Sequence, residues 1–274
     1  MKISRRQFLA GVGAAGAAVG VDAFGLEAHR VILTRHEVRI PGLPAGLDGL
    51  RIAQISDVHF PGNQLAARAT LGLIHQERPE MVVLTGDMTE SRAAMVDVRS
   101  FAADARGTLA TVALLGNWEH RAGAVGQLAL ETYRSAGVDL LVNQSKTVDV
   151  EGLPLTLVGL DDPVAGAPRL AQARKGVVQG STEIWLVHAP GVVDSMSESM
   201  QSPPALVLAG HTHGGQIRIP LLPPVKPIGA GRFLEGWYYD TFAPLYVSRG
   251  VGTTGIPARF RCPAELPLFT LRSA

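Results

Sequence analysis

The chain has 274 residues, of which 46% are hydrophobic, and its formal net charge is +1. A chain of this length can bury a large core, and its near-neutral charge provides no basic field of the kind that nucleic-acid-binding proteins use. The single cysteine, Cys262, excludes an internal disulfide, and we expect it to pack as a small buried hydrophobic residue.

The first 23 residues resemble a twin-arginine export signal. Residues 4–9 read Ser-Arg-Arg-Gln-Phe-Leu, residues 10–21 are apolar, and residues 21–23 form a small-residue cleavage site. The apolar stretch is short for a transmembrane helix. We predict a signal segment at residues 1–23 and a single domain over residues 24–274. The twin-arginine export machinery would then deliver the protein to the periplasm or the outer face of the cytoplasmic membrane; retention of the segment as a membrane anchor is the alternative.

The first half of the chain alternates apolar runs with helical patterns. Continuous apolar runs bounded by glycine indicate strands buried on both faces, and strand–helix–strand succession predicts parallel pairs with right-handed crossovers. Strands are predicted at residues 31–40 (an edge strand), 50–56, 81–85 and 111–115, and helices at residues 66–77, 91–106 and 126–135.

The second half contains short strands with few long helices between them. This change in the succession of elements predicts a second sheet packed on the first. The expected fold is therefore α/β, a four-layer α/β/β/α sandwich of two mixed sheets flanked by helices. The predicted strands are residues 147–150, 155–160, 183–188, 206–209, 216–219, 245–248 and 266–271.

Side chains that can bind metals follow five of these apolar runs. Ligands of open α/β sheets collect outside the carboxyl ends of the strands, so we expect these side chains to converge. Carboxylate, amide and imidazole donors suit Mn, Fe and Zn alike. In the order of the runs they follow, the side chains are Asp57 and His59, Asp87, Asn117, His188, and His211 with His213.

This set of motifs resembles the calcineurin-like metallophosphoesterase superfamily. The matching blocks are Asp57-Val58-His59, Gly86-Asp87, Gly116-Asn117, His188 and Gly210-His211-Thr212-His213, in the family's order. Residues 214–218 (Gly-Gly-Gln-Ile-Arg) and 246–252 (Tyr-Val-Ser-Arg-Gly-Val-Gly) further resemble its bacterial exported or membrane-associated branch, which is YaeI/YkuE-like.

The resemblance implies an enzyme with two divalent metal ions. Asp57, His59, Asp87 and His213 would hold the first ion, and Asp87, Asn117, His188 and His211 the second, with Asp87 shared. The implied activity is a cell-envelope phosphodiesterase or pyrophosphatase that acts on a phosphoester through in-line attack of a metal-bridging hydroxide. A broad phosphomonoesterase and a non-catalytic metal-binding scaffold are the alternative functions.

The third block departs from the family pattern. Family members commonly carry His directly after the Asn, where this chain has Trp118. The leaving group would then be protonated by His120 or by Glu119, or the metals would suffice without an acid; we favour His120. Trp118 itself either lines the pocket or serves as a buried anchor.

Further residues near the motifs have two interpretations each. Residues 220–231 are apolar and rich in proline; such a loop can receive a lipid tail or dock on a membrane, which would make the substrate lipid-linked, and a rigid surface connection is the slightly favoured alternative. Arg218 and Arg249 are candidate phosphate ligands or structural arginines. His29, His36 and His75 match no block, and we expect them to be exposed or incidental.

Overall fold

The computed structural model describes residues 19–196 and 202–274, together with residues 4–7, 13 and 17. Most of the predicted twin-arginine segment lies outside the described residues, and that interpretation stays a prediction. Within the part of the chain that the structure describes, no helix is both long enough and apolar enough to cross a bilayer.

The described residues form two six-stranded sheets, in the orders β1-β12-β2-β3-β4-β5 and β10-β11-β9-β8-β7-β6. Both sheets are mixed, since antiparallel pairs occur in each beside parallel ones. The strands are β1 (Val31–Ile40), β2 (Arg51–Ile55), β3 (Met81–Thr85), β4 (Ala110–Leu114), β5 (Asp139–Leu140), β6 (Gln144–Val150), β7 (Leu153–Gly159), β8 (Thr182–Leu186), β9 (Leu206–Ala209), β10 (Gly236–Tyr238), β11 (Leu245–Val247) and β12 (Ala264–Ser273).

Helices cover the outer faces of the sheets. Helix α1 begins after Asn63, whose side-chain oxygen accepts the Ala66 N–H at 3.1 Å, and it is capped at its end by Arg78, whose φ is +47°. From residue 22 onward, the α-helices in the described residues are α1 (Gln64–Glu77), α2 (Met95–Asp104), α3 (Asn117–Arg121), α4 (Gln127–Ser135), α5 (Leu170–Ala173) and α6 (Val192–Met196).

Three apolar layers hold the sandwich together. The middle layer joins the inner faces of the two sheets, with Val83 and Val112 from the first and Leu157 and Leu208 from the second. Helices α1, α2 and α4 pack on the outer face of the first sheet, and α5 and α6 on that of the second. The predicted four-layer fold of two mixed sheets is therefore confirmed. The apolar layers exclude water from the strands that carry the candidate site.

The strand predicted at residues 216–219 is wrong. Ile217 forms only an isolated bridge with Phe260, and the Arg218 side chain donates to the Gly214 carbonyl at 2.7 Å. Gly214 and Gly215 both have positive φ, so the chain turns sharply here instead of extending along a neighbour. The other predicted strands and helices are present, most of them with shifted ends, whereas the short elements β5, β10, α3, α5 and α6 were not predicted.

Candidate metal centre

All seven candidate ligands follow the carboxyl ends of strands, at the same edge of the sandwich. Their side chains are all buried, which is unusual for carboxylates and imidazoles without partners. Asp57 and His59 follow β2, Asp87 follows β3, Asn117 follows β4, His188 follows β8, and His211 and His213 follow β9.

The backbone at these positions is strained. Five of the seven candidate ligands, Asp57, His59, Asp87, His211 and His213, have φ between +51° and +74°. Residues other than glycine rarely adopt this left-handed region, and each such residue costs about 1–3 kcal/mol. The surrounding fold therefore enforces the conformation that turns these side chains toward one another.

The first group consists of Asp57, His59 and His213, whose ligand atoms all lie within 4.8 Å of one another. The Nε2 atoms of His59 and His213 are 2.9 Å apart, and His213 Nε2 lies 3.6 Å from Asp57 Oδ1. The Asp57 carboxylate also accepts the backbone N–H of His211 at 3.0 Å, which links this group to the loop that carries the second one.

The second group consists of Asp87, His188 and His211, with the Asn117 amide beside it. His188 Nε2 lies 3.1 Å from Asp87 Oδ2, 3.3 Å from Asn117 Oδ1 and 3.2 Å from His211 Nδ1. The opposite nitrogens of the imidazoles are held by carbonyls: His188 Nδ1 is 2.8 Å from Thr85 O, and His211 Nε2 is 2.8 Å from Ile228 O. Such partners orient an imidazole so that its other nitrogen faces a metal.

Asp87 connects the two groups. Its Oδ2 lies 3.1 Å from His188 Nε2 and 3.8 Å from His59 Nε2, while its Oδ1 accepts the Trp118 N–H at 2.8 Å. Gly116 passes so close that an added Cβ would overlap Asp87 Oδ1 and the His188 ring. A carboxylate placed between two sets of donors is the arrangement in which one ligand is shared by two cations.

The electrostatics of the two groups suit the binding of cations. Burial lowers the pKa of His188, but the Asp87 carboxylate outweighs burial and raises it to about 10. Burial and the neighbouring His59 hold the pKa of His213 well below its ordinary value, so this imidazole is a neutral, ligand-ready donor. Its buried Nδ1 has no hydrogen-bond partner. Two buried groups of nitrogen and oxygen donors fit a dinuclear centre of divalent metal ions.

Metal uptake is expected to release protons and to tighten as the pH rises. The metal-free protein keeps His188 protonated up to its pKa of about 10, and a metal ion must displace that proton to reach the ring nitrogen. Between pH 6.5 and 9 the apparent affinity for Mn²⁺ should rise by about tenfold per pH unit for each proton displaced. Titration calorimetry in buffers of different ionisation enthalpy measures the protons released, and a pH-independent affinity would contradict the expectation.

Two carboxylates that the sequence did not single out as supports hold the ligand loops. Glu119 is fully buried; its Oε1 accepts the N–H groups of Met88 and Thr89, and its Oε2 those of Asp87 and Gly116, at 2.6–3.0 Å. With both oxygens filled by backbone donors, Glu119 has no atom free for a leaving group. The interpretation of Glu119 as the acid is therefore wrong, and its position fixes the loops after β3 and β4.

Glu90 is the second of these carboxylates. Its Oε1 lies 2.9 Å from His59 Nδ1 and accepts the Thr254 hydroxyl at 3.1 Å. The contact leaves His59 Nε2 facing the first group. No pattern in the sequence tied Glu90 to the site, because its contact partners are 31 and 164 residues away along the chain.

His120 has a hydrogen-bond partner of its own, Asp161. Its Nε2 is 2.8 Å from Asp161 Oδ1, and this hydrogen bond, opposed by burial, raises the pKa of the imidazole. The imidazole is 18% exposed, and it does not border the cavity described next. Its role as the acid stays a prediction, and the structure adds Asp161 as the partner of its imidazole.

A cavity of about 580 Å³ opens above the two groups. Asp87, Asn117, His211 and His213 contribute to its polar floor, while the walls are mainly aliphatic. Trp118 lines this cavity and is half-buried, and the Arg121 guanidinium lies 5.3 Å from its ring. Trp118, which directly follows Asn117, therefore forms part of the cavity wall.

The remaining candidates have structural partners. Arg249 pairs with Glu265 at 2.7 Å and Arg218 with Glu235 at 2.6 Å, so their guanidinium groups are committed to carboxylates of the fold. His36 is half-buried among Trp237, Tyr246 and Phe269 rather than exposed. Cys262 is buried, as predicted, and its Sγ contacts the His213 carbonyl at 3.2 Å.

Comparison with known proteins decides the family. The Calcineurin-like phosphoesterase superfamily domain matches residues 50–219, which contain every candidate ligand. The chain belongs to this superfamily. It is 31% identical to the uncharacterized metallophosphoesterase YkuE of Bacillus subtilis, over 99% of each chain, and 29% identical to the phosphodiesterase YaeI of Escherichia coli, over 81% of this chain and 82% of YaeI.

Solved structures align with part of the chain at low identity. The 5'-nucleotidase precursor from Thermus thermophilus aligns with 74% of this calcineurin-like chain at 14% identity, with a TM-score of 0.49. The chain spans 49% of the length of that nucleotidase chain.

Proposed function

We propose that the protein is a metal-dependent phosphodiesterase or pyrophosphatase. The observation that carries the proposal is the convergence of seven buried ligands from five strand ends, four of which form the floor of one cavity. A scaffold without catalysis would not need five residues with strained backbone to aim ligands at a cavity open to a substrate. The similarity to the phosphodiesterase YaeI supports a diester substrate.

The metal pair, when bound, would supply a hydroxide nucleophile at neutral pH and positive charge for the phosphoryl oxygens. The chain's own residues provide the rest. Asp87 holds the two groups at a fixed separation, the carbonyls of Thr85 and Ile228 orient His188 and His211, and Glu119 locks the loops that carry Asp87 and Asn117. Arg121 and Trp118 flank the entrance, where a cation over an aromatic ring suits an anionic or planar part of the substrate.

We further propose that the enzyme works in the cell envelope on a lipid-linked phosphoester. The twin-arginine pattern in residues 4–9 supports export. The aliphatic walls of the cavity, among them Ile217, Ile219 and Ile256, support a substrate with an apolar part.

Hydrolysis of bis-p-nitrophenyl phosphate by the Mn-loaded protein tests the activity, with p-nitrophenyl phosphate run in parallel. Faster cleavage of the diester supports the phosphodiesterase proposal, and faster cleavage of the monoester supports the broad phosphomonoesterase instead. If the protein binds two metal ions but cleaves neither compound, the non-catalytic metal-binding scaffold is the interpretation that remains.

His120 is expected to matter only when the leaving group needs a proton. The His120→Ala variant should lose about 10²-fold in kcat toward diphenyl phosphate, whose phenolate is a poor leaving group, and only a few-fold toward bis-p-nitrophenyl phosphate. Because Asp161 raises the pKa of His120, the Asp161→Asn variant should shift the alkaline limb of the diphenyl phosphate profile to lower pH. Equal losses on both substrates would show that His120 is only structural.

A further inference from the structure

The surface beside the cavity carries an unusual concentration of exposed aliphatic side chains. The rim loop, which we define as residues 219–228, contains Leu221 and Ile228 at 103% and 86% relative exposure and Val225 and Leu222 at 76% and 61%. Single exposed hydrophobic residues are ordinary, but contiguous ones mark an interaction surface. Prolines at positions 220, 223, 224 and 227 also limit the ability of the loop to fold inward and hide them.

The rim loop continues into the cavity. Ile219, Val225 and Ile228 are exposed at the surface and also line the cavity above the two ligand groups. These three aliphatic side chains therefore connect the exposed loop with the wall of the cavity. An amphiphile entering along this surface would keep its apolar part on aliphatic side chains until its phosphate reached the floor.

Within residues 216–234, which include the rim loop, all charged side chains are positive. Residues 216–234 include Arg218, Lys226 and Arg232 but no Asp or Glu. Arg218 and Arg232 are paired with carboxylates, whereas the exposed Lys226, and Arg121 and Arg261 on the two sides of the loop, form no ion pair within the described residues. Unpaired cations beside exposed aliphatic tips complement an anionic, apolar surface.

The N-terminal segment enters the fold next to the rim loop. The Ala23 carbonyl accepts the Arg259 N–H at 3.0 Å, and the Glu27 carboxylate accepts the Arg261 N–H at 2.8 Å. The Arg261 side chain in turn borders the groove formed with Leu221 and Leu222. Phe24 and Leu26 are more than half exposed here, and residues 10–21, which precede them, contain no polar or charged side chain.

We propose that the rim loop docks on a lipid bilayer that contains anionic lipids, so that the cavity opens directly onto the lipid layer. Aliphatic tips would enter the acyl region, and Lys226 and Arg261 would contact the headgroups. This docking goes beyond the proposed catalytic function and needs no turnover, so the two proposals can fail separately.

Bilayer insertion is tested with the full chain carrying Leu221→Trp. Vesicles of phosphatidylethanolamine and phosphatidylglycerol should shift the fluorescence emission of the added indole to the blue. When their acyl chains are brominated, the emission of this indole should be quenched at least about twofold more strongly than the emission of the native tryptophans. The matched control is Val96→Trp on α2, where the native side chain is 55% exposed, and its added emission should not be quenched. Unchanged thermal unfolding of both variants verifies the fold.

Two outcomes would overturn the proposal. If the chain sediments with the vesicles while the indole at position 221 stays unquenched, the N-terminal segment alone anchors the protein and the rim loop does not dock. If the indole at position 221 shifts to the blue without vesicles as the protein concentration rises, a second copy of the chain covers the loop instead. Replacing phosphatidylglycerol with phosphatidylcholine should reduce the quenching, because the cations then lose their partners.

Discussion

Replacing Asp87 with alanine is expected to reduce hydrolysis of bis-p-nitrophenyl phosphate by about 10³-fold or more, since a loss of about 4 kcal/mol of transition-state stabilisation has this effect. Asp87 Oδ2 faces both ligand groups, at 3.1 Å from His188 Nε2 and 3.8 Å from His59 Nε2. Its removal deletes a donor from each metal and leaves two buried imidazoles without a counter-charge. Turnover and bound metal, measured by elemental analysis, should therefore fall together.

The Asp87→Asn variant separates charge from shape. It keeps an oxygen that can accept the Trp118 N–H, so the loop should remain in place while the shared carboxylate is lost. Asp104→Ala, an exposed carboxylate at the end of α2, is the matched control and should keep full activity and metal content. Wild-type turnover in Asp87→Asn, with two metal ions still bound, would refute the assignment of Asp87 as the shared ligand.

The convergence of the ligands was predictable because it depends on a short-range pattern. Continuous apolar runs such as Met81–Thr85 and Leu206–Ala209 can only be central strands, and a side chain that follows such a strand must lie at its carboxyl edge. The superfamily resemblance then supplied the order of the blocks. The fold class followed from the same runs, since two sets of buried strands require two packed sheets.

The supporting contacts were not predictable, because they join residues that are distant in sequence or depend on backbone angles. Glu119 lies next to Trp118 in the third block, yet three of its four hydrogen bonds reach residues 87–89. The positive φ of Asp57 and His213 could not be read from the sequence, because residues other than glycine usually avoid this backbone conformation. The failed strand at residues 216–219 has the same cause: alternating side chains suggested extension, but the turn at Gly214 and Gly215 decided the path.

Replacing Glu119 with glutamine is expected to destabilise the metal-free protein by about 3 kcal/mol, because buried N–H groups would lose a charged acceptor. The carboxylate oxygens accept four backbone N–H groups, and a glutamine amide would turn a donor toward two of them. For a domain of this size, the unfolding midpoint in the presence of a chelator should fall by roughly 6–12 °C.

The comparison of Glu119→Gln with Glu131→Gln tests this account of the buried carboxylate. Glu131 is exposed on α4 and its carboxylate accepts only the Gln127 side-chain amide and no backbone N–H, so its replacement should leave the midpoint within about 1 °C. Burial and Asp87 favour a protonated Glu119 and raise its pKa, whereas the four donors favour the carboxylate. An unchanged midpoint in Glu119→Gln would mean that the side chain is already neutral in the folded protein. A large fall would mean that the backbone donors prevail, and that a buried negative charge holds the loops of Asp87 and Asn117 in the positions that the metal ions require.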